Sequence, residues 1–387
     1  MTTPHAMRRA MMFLIGSLPL LLASIAIAYY QRNDAFVYID LLWLTACVLV
    51  LWRATSTLRL WALYAGTAFL TLAVYEAFLG GWFSAPTAQF VNFELSDPTY
   101  FQLHPLLGVV PKRDVQVRAT KTSADTRIYD VRYTIDANGL RIGPPTGAEA
   151  TPAVLFFGCS FTFGEGVDDD ETLPYQFGER AGGRFQSLNF GFHGYGPHQM
   201  LAMLEHAMER DALGGHRAAH AVYQALVVDH VERCAGHAWW DTSGPRYVLD
   251  PQGHPVRAGP FHSVVVSRFM TILARSNIAR RWLSTKRPVT ADEADLFVGI
   301  VETSARLFHE RHHGTFHVLL WGDESPAAAA IAGKLAATGL DVISIDTILP
   351  DLRTDGNKYQ IALDGHPSPL AYEKIAAYLV QHLGDAR

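Results

Sequence analysis

The sequence predicts an α/β chain. Its main body is a three-layer α/β/α, doubly wound parallel sheet, preceded by an apolar three-helix anchor and a small β-rich region. Three observations lead there. From Pro152 onward short apolar runs alternate with helical patterns. Arg127–Asp136 alternates polar and apolar residues with the period of a strand. Met1–Gln89 holds no lysine, five arginines and three acidic residues, so its chemistry suits lipid rather than water. These features divide the 387 residues into an anchor over 1–83, a β-rich collar over 84–151 and an α/β region over 152–387. The formal charge of −5 lacks the basic excess of a nucleic-acid binder.

The anchor is read from three apolar stretches. Met11–Tyr30 is uncharged and about 20 residues long, the length that crosses a hydrocarbon core as helix. Ala35–Trp52 and Leu60–Phe83 each contain one carboxylate, Asp40 and Glu76. Arg8 and Arg9 ahead of the first stretch also suit a signal peptide, but a signal peptide does not account for the next two. Arg8, Arg9, Arg53 and Arg59 fall on one side if all three stretches cross, leaving Arg32 on the other. Positive charge is retained inside, so the region after Phe83 is expected outside, which in a bacterium is the periplasmic face of the inner membrane. Asp40 and Glu76 then lie near the outer helix ends, where snorkelling or helix pairing is the expected role.

In the collar, Asn138-Gly139 adds a hairpin turn signal to the strand at Arg127–Asp136. No chemistry is legible there. Buried parallel strands are expected at Ala153–Phe157, Ser187–Phe190, Ala221–Val228, His317–Trp321 and Asp341–Ile345. Helices are expected at His198–Arg210, Ala291–His313, Pro326–Thr338 and Leu370–Leu383. In such a sheet a ligand site lies beyond the carboxyl ends of the strands.

The candidate chemistry follows strands as that rule requires. Phe156–Gly166 reads F-F-G-C-S-F-T-F-G-E-G: a strand ends, Gly158 permits a tight turn, and Ser160 is lifted toward the start of a helix. Backbone N–H groups there can stabilise a developing oxyanion. Taken alone, Ser160 is equally well a helix cap. Asn189–Gly196, N-F-G-F-H-G-Y-G, is a glycine-rich loop where backbone can approach a ligand. Leu363–Pro369, L-D-G-H-P-S-P, lets one loop present both Asp364 and His366. A serine nucleophile needs a base, and the base needs a partner that holds its tautomer. Ser160, His366 and Asp364 supply those three parts.

These blocks resemble the SGNH/GDSL hydrolase superfamily over roughly Pro152 to the C-terminus. The resemblance implies that Ser160 is the nucleophile, His366 the base and Asp364 its orienter. It also implies an oxyanion hole built from the N–H groups of Ser160 and Gly194, with no metal and no cofactor. Two positions depart from the pattern. Cys159 stands where the family has Asp before the serine, a place with no chemical role. Where the family offers Gly-x-Asn-Asp after the third strand, this chain has Asp229-His230. An ionised Asp229 repels an oxyanion, so either His230 N–H replaces the asparagine amide or Asp229 is turned away or protonated. His230 is the expected donor.

Three further features are weighed and set aside. His309-Glu310-Arg311-His312-His313 matches H-E-x-x-H, but Gly314 ends the helix and Arg311 puts a cation beside the site. Trp239-Trp240 offers faces for stacking on a sugar or for a membrane interface, with packing of a long insertion as the plainer reading. Cys159 and Cys234 are too few for a disulfide framework, although one bond between them is open.

The expectation is an esterase that removes O-acyl groups, chiefly acetyl, from a surface polysaccharide or envelope glycan through an acyl-serine. Its partners would be the lipid bilayer and an ester-bearing glycan or small acyl ester. Alternatives are an O-acetyltransferase working with a multispanning acyl-carrying partner, a phospholipase, and an inactive binding protein of the same fold.

Overall fold

The computed structural model describes residues 18–27, 34–53, 56–80, 91–123, 126–145, 151–285 and 287–385. The chain forms two compact units, Met1–Gln89 with Val264–Lys286, and Phe90–Ser263 with Arg287–Arg387.

The first unit begins with α1 (Leu18–Ile27), α2 (Ala35–Arg53) and α3 (Ser56–Leu79). Among the described residues α2 and α3 are long and apolar enough to cross a membrane. The expected first span, Met11–Tyr30, falls partly outside the described residues. Its described part is the ten-residue α1, and among the described residues two helices reach spanning length. α2 and α3 pack on one another through both small and aromatic residues. A Cβ on Gly66 would lie 3.3 Å from that of Cys47, and Trp43 stacks on Phe69 at 5.8 Å.

The second unit opens with β1 (Val91–Leu95), β2 (Phe101–His104), β3 (Gly108–Pro111), β4 (Val115–Ser123) and β5 (Thr126–Ile135). β1, β4 and β5 form an antiparallel sheet in the order β1-β4-β5, and β2-β3 is a separate hairpin. A bulge interrupts β4-β5 pairing between Lys121 and Thr122. Bulges of this kind bend a strand and re-aim its side chains. Beyond the Asn138-Gly139 turn, Arg141 bridges both Ile135 and Asn189, so this region joins the main sheet through one residue.

The main sheet alternates with helices: β6 (Ala153–Phe157), α4 (Ser160–Phe163), α5 (Leu173–Ala181), β7 (Gln186–Asn189), α6 (Pro197–Glu205), α7 (Glu209–Leu213), β8 (Ala218–Leu226) and α8 (Val227–Cys234). The hairpin β9 (Pro245–Leu249) and β10 (Pro255–Pro260) follows, then α9 (Val264–Leu273) and α10 (Asn277–Leu283), which belong to the first unit. α11 (Ala291–His312), β11 (Thr315–Trp321), α12 (Pro326–Ala337), β12 (Asp341–Ser344), α13 (Ile345–Ile348) and α14 (Pro369–Asp385) complete it.

All five strands of the sheet β7-β6-β8-β11-β12 are parallel. β6 is buried at every residue and β8 at all but its last, as strands covered on both faces must be. Strand order reverses between β6 and β8, and that switch point opens the crevice where such sheets bind ligands. The five expected strands and the long helices appear within a few residues of their predicted places. The helix expected over His198–Arg210 divides into α6 and α7. Ala207 takes a left-handed φ of 54°, and the N–H groups of Ala207 and Met208 return to the carbonyls of Leu204 and Met203. Those two bonds form a Schellman stop, here built without glycine.

Candidate active site

Ser160 is the first residue of α4, directly beyond β6. At that position its N–H has no acceptor within the helix. The turn that lifts it depends on Gly158, whose φ of 150° suits glycine and where a Cβ would lie 2.2 Å from Thr162 Oγ1. Thr162 Oγ1 in turn donates to the Phe157 carbonyl and accepts from Gln224 Nε2 at 3.0 Å. The serine turn is therefore tied to β8 as well as to its own strand.

Asp364 and His366 stand on a tight loop between Gln360 and Pro367, which pair as a bridge. The N–H groups of Asp364 and Gly365 both return to the Ile361 carbonyl, and Ile361 N–H donates to His366 O. Leu363 takes a left-handed φ of 64°, an uncommon conformation for a branched side chain and one that costs free energy. The loop brings Asp364 Oδ2 to 2.5 Å from His366 Nδ1 and His366 Nε2 to 2.9 Å from Ser160 Oγ. With the proton on Nδ1 donated to Asp364, Nε2 is left to accept from the serine hydroxyl. Ser160 is 8% exposed, so its hydroxyl is largely shielded from solvent.

Four residues that the sequence did not single out complete the site. Lys121 of β4, beside the bulge, donates to Asp364 Oδ1. Burial works against ionisation of Asp364, but the hydrogen bonds and charges of His366 and Lys121 outweigh it and hold its carboxyl below the usual range. Glu165 accepts from His193 Nδ1 at 2.7 Å and lies 3.8 Å from both His366 Nε2 and Lys121 Nζ. Burial again opposes the charge, yet His193, His366 and Lys121 together bring Glu165 down to about 2. Arg141, buried at 2% exposure, donates to the carbonyls of Phe163, Gly164, Val167 and Arg132 and pairs with Asp169 at 2.9 Å. It clamps the loop that follows the serine. The β-rich region, where no chemistry was legible, thus supplies Lys121 and the clamp.

The glycine-rich loop is held against the serine turn. Asn189 Nδ2 donates to the carbonyls of Thr162 and Phe163, and its Oδ1 accepts from Gly191 N–H. A Cβ on Gly191 would lie 2.6 Å from Phe163 N, so only glycine permits that approach. Gly194 follows with φ of 74°, and half-exposed Trp240 covers it: a Cβ there would meet the indole Nε1 at 2.9 Å.

The expected donor His230 is corrected. It is the fourth residue of α8, the first whose N–H has an intrahelical acceptor, in this case the Leu226 carbonyl. Its ring is fully buried and turned to Tyr223, with Nδ1 accepting from the Tyr223 hydroxyl at 2.7 Å and from Leu226 N–H. Burial pushes that imidazole well below its ordinary pKa. Asp229 lies in the first turn of the same helix, where a carboxylate complements the dipole.

Glu165, Asp364 and His366 bring ligand atoms within 4.8 Å of one another, but a cation among them would face the ammonium of Lys121. His317, Asp341 and His382 gather at the amino ends of β11 and β12, away from Ser160. Both rings there hydrogen-bond Asp341 Oδ2, at 2.5 and 2.7 Å. In the H-E-x-x-H segment, α11 ends at His312, His313 is its left-handed cap, and His309 Nδ1 donates to Gly314 O. Cys159 and Cys234 are both free and buried.

No protein-family model matches the chain, and no curated protein sequence matches it. Among solved structures it is similar to a protein described as lipolytic, of the G-D-S-L family, from Desulfitobacterium hafniense DCB-2. Identity there is 12%, over 60% of this chain and 99% of that one, with a TM-score of 0.33. It is also similar to an alpha/beta hydrolase enzyme from the metagenome of Lake Arreo, Spain, at 12% identity, 62% and 100% coverage and a TM-score of 0.37. A lipase from a goat rumen metagenome shares 13% identity, 61% and 99% coverage and a TM-score of 0.33. Likenesses this distant transfer no activity.

Proposed function

We propose that this chain is a membrane-anchored serine esterase of the SGNH/GDSL kind. Ser160 is its nucleophile, His366 its base and Asp364 the carboxylate that orients the base. The observation that carries this reading is the continuous line from Asp364 Oδ2 through His366 to Ser160 Oγ, at 2.5 and 2.9 Å.

Ser160 Oγ attacks the acyl carbon as its proton passes to His366 Nε2. The carbonyl oxygen takes up negative charge and is held by the N–H groups of Ser160 and Gly194. The C–O bond to the alcohol then breaks, the alcohol leaves with the proton from His366, and an acyl-serine remains. Water adds by the same route and releases the acid. Asp364 stays ionised throughout, which its bonds from His366 and Lys121 favour.

The substrate we propose is an O-acyl group, chiefly acetyl, on an envelope glycan outside the bacterial inner membrane. Two features support this choice: α2 and α3 suit an anchor, and the exposed Trp240 offers a sugar ring a stacking face beside Gly194. A fluorophosphonate probe tests the nucleophile. The full chain should be labelled and its Ser160→Ala counterpart should not; a folded wild-type chain that takes no label contradicts the reading.

A further inference from the structure

Residues 264–286 leave the α/β unit, form two short helices and belong with the apolar helices of the first unit. The attachment is specific. Glu76 of α3, 2% exposed, accepts from Ser276 Oγ, from Asn277 N–H at 2.6 Å and from Ile278 N–H at 3.3 Å. A carboxylate thereby caps the start of α10 from another helix. Asn277 Nδ2 donates onward to Asp34 Oδ1 at 2.9 Å and to the Glu76 carbonyl at 3.1 Å. Gly80 makes room for this junction, since a Cβ there would meet Asp34 Oδ1 at 2.6 Å and Asn277 Nδ2 at 2.7 Å.

What the segment presents outward is unlike a water-facing surface. No residue of α9 is buried, yet Val265 is 77% and Phe269 61% exposed, and Trp282 of α10 is 71% exposed. Over the same 264–286 there are five basic residues, Arg268, Arg275, Arg280, Arg281 and Lys286, and no acidic one. Tyr75 and Leu79 of α3 share a cavity of about 540 Å³ with Arg281 and Trp282. Apolar side chains that reach out among arginines, fixed to the end of a helix long enough to span, match the interfacial zone of a bilayer.

We infer that residues 264–286 are an interfacial hairpin. Its valines, Phe269 and Trp282 enter the bilayer surface, and its arginines pair with anionic phospholipid headgroups. This inference rests on the reading of α2 and α3 as membrane spans. It assigns Glu76 to positioning the hairpin. The basic charge does not conflict with the orientation taken from the arginines, because that rule governs short loops and 264 lies far beyond the last span.

The test uses the full chain in vesicles of phosphatidylcholine with one quarter phosphatidylglycerol. An environment-sensitive fluorophore is placed at Val265→Cys, Phe269→Cys, Tyr64→Cys on α3, or Gln252→Cys on the β9-β10 hairpin, all in a Cys47→Ala background. Lipids with a spin label near the headgroup should quench the Val265 and Phe269 sites at least about twofold more than the Gln252 site. Adding Glu76→Gln should lower that quenching while the Tyr64 site, read with deeper labels, stays unchanged. Quenching at Tyr64 but none at Val265 and Phe269 overturns the hairpin and leaves the anchor standing. No quenching at any of the three overturns the anchor and the hairpin together. Quenching that is as strong in pure phosphatidylcholine overturns the role of the arginines.

Discussion

Lys121 of the β-rich segment donates to Oδ1 of Asp364, while Oδ2 of the same carboxylate accepts from His366 Nδ1. One side chain from outside the α/β layers thus holds the carboxylate that holds His366. The side chain of Asp364 is buried, and a buried carboxylate keeps its charge only when its oxygens are satisfied. Replacing Lys121 with Met should lower kcat about tenfold while KM changes little, since a charge-assisted bond to the orienting group is lost and substrate contacts are not. Lys121→Arg should recover part of the loss. Equal activity in Lys121→Met would reduce the lysine to a packing role.

Asp364→Asn keeps the shape of the loop but removes the acceptor that selects the Nδ1–H tautomer. The acylation rate should fall by about 10³–10⁴, measured by stopped flow with p-nitrophenyl acetate. A loss of tenfold or less would mean that Asp364 does not select the tautomer of His366.

Glu165 couples the site to acid stability. Its pKa in the fold is about 2 against an ordinary 4.5, so the folded state favours the charged form. The stabilisation is complete above about pH 4.5 and is lost as pH falls toward 2, and it is on the order of 3 kcal/mol. Urea titrations of Glu165→Gln should therefore show a shallower decline than wild type between pH 4.5 and 2.5. Parallel declines would mean that the carboxylate is not stabilised by His193, His366 and Lys121 as described.

Arg141→Met leaves carbonyls of the serine loop without their donor and Asp169 without its partner. A loss of about 3 kcal/mol in unfolding free energy is expected, with activity falling in the fraction that remains folded. Chemical denaturation followed by tryptophan fluorescence measures the first, and active-site titration the second.

The parts legible in the sequence are those with local signatures. Five buried runs, their intervening helices and the three motif loops could be placed because burial, periodicity and turn chemistry are written over a few residues. Lys121, Glu165, His193 and Arg141 carry no such mark. Lys121 is 243 positions from Asp364, and only the pairing of β4 with β5 across an irregular register sets its place. His230 misled because its place after a strand suggested a loop, whereas helix α8 begins at Val227 and consumes its N–H. Residues 264–286 looked like part of the α/β region, since the contacts that tie them to the first unit, with Glu76 and Asp34, lie 200 and 243 positions away.

Orientation has its own test. An alkaline phosphatase fusion at Phe83 should be active if the α/β unit faces the periplasm. A silent phosphatase with an active cytoplasmic reporter at the same point would invert the proposed topology.

The central claim is that an acyl group passes through Ser160. Rapid acid quenching of the full chain with p-nitrophenyl acetate, followed by peptide mass spectrometry, reads it directly. The account predicts one acetyl group on the peptide that contains Ser160, absent from Ser160→Ala and accumulating when deacylation is slowed. Acetate release with no acetyl on Ser160, or release that persists in Ser160→Ala, would contradict it.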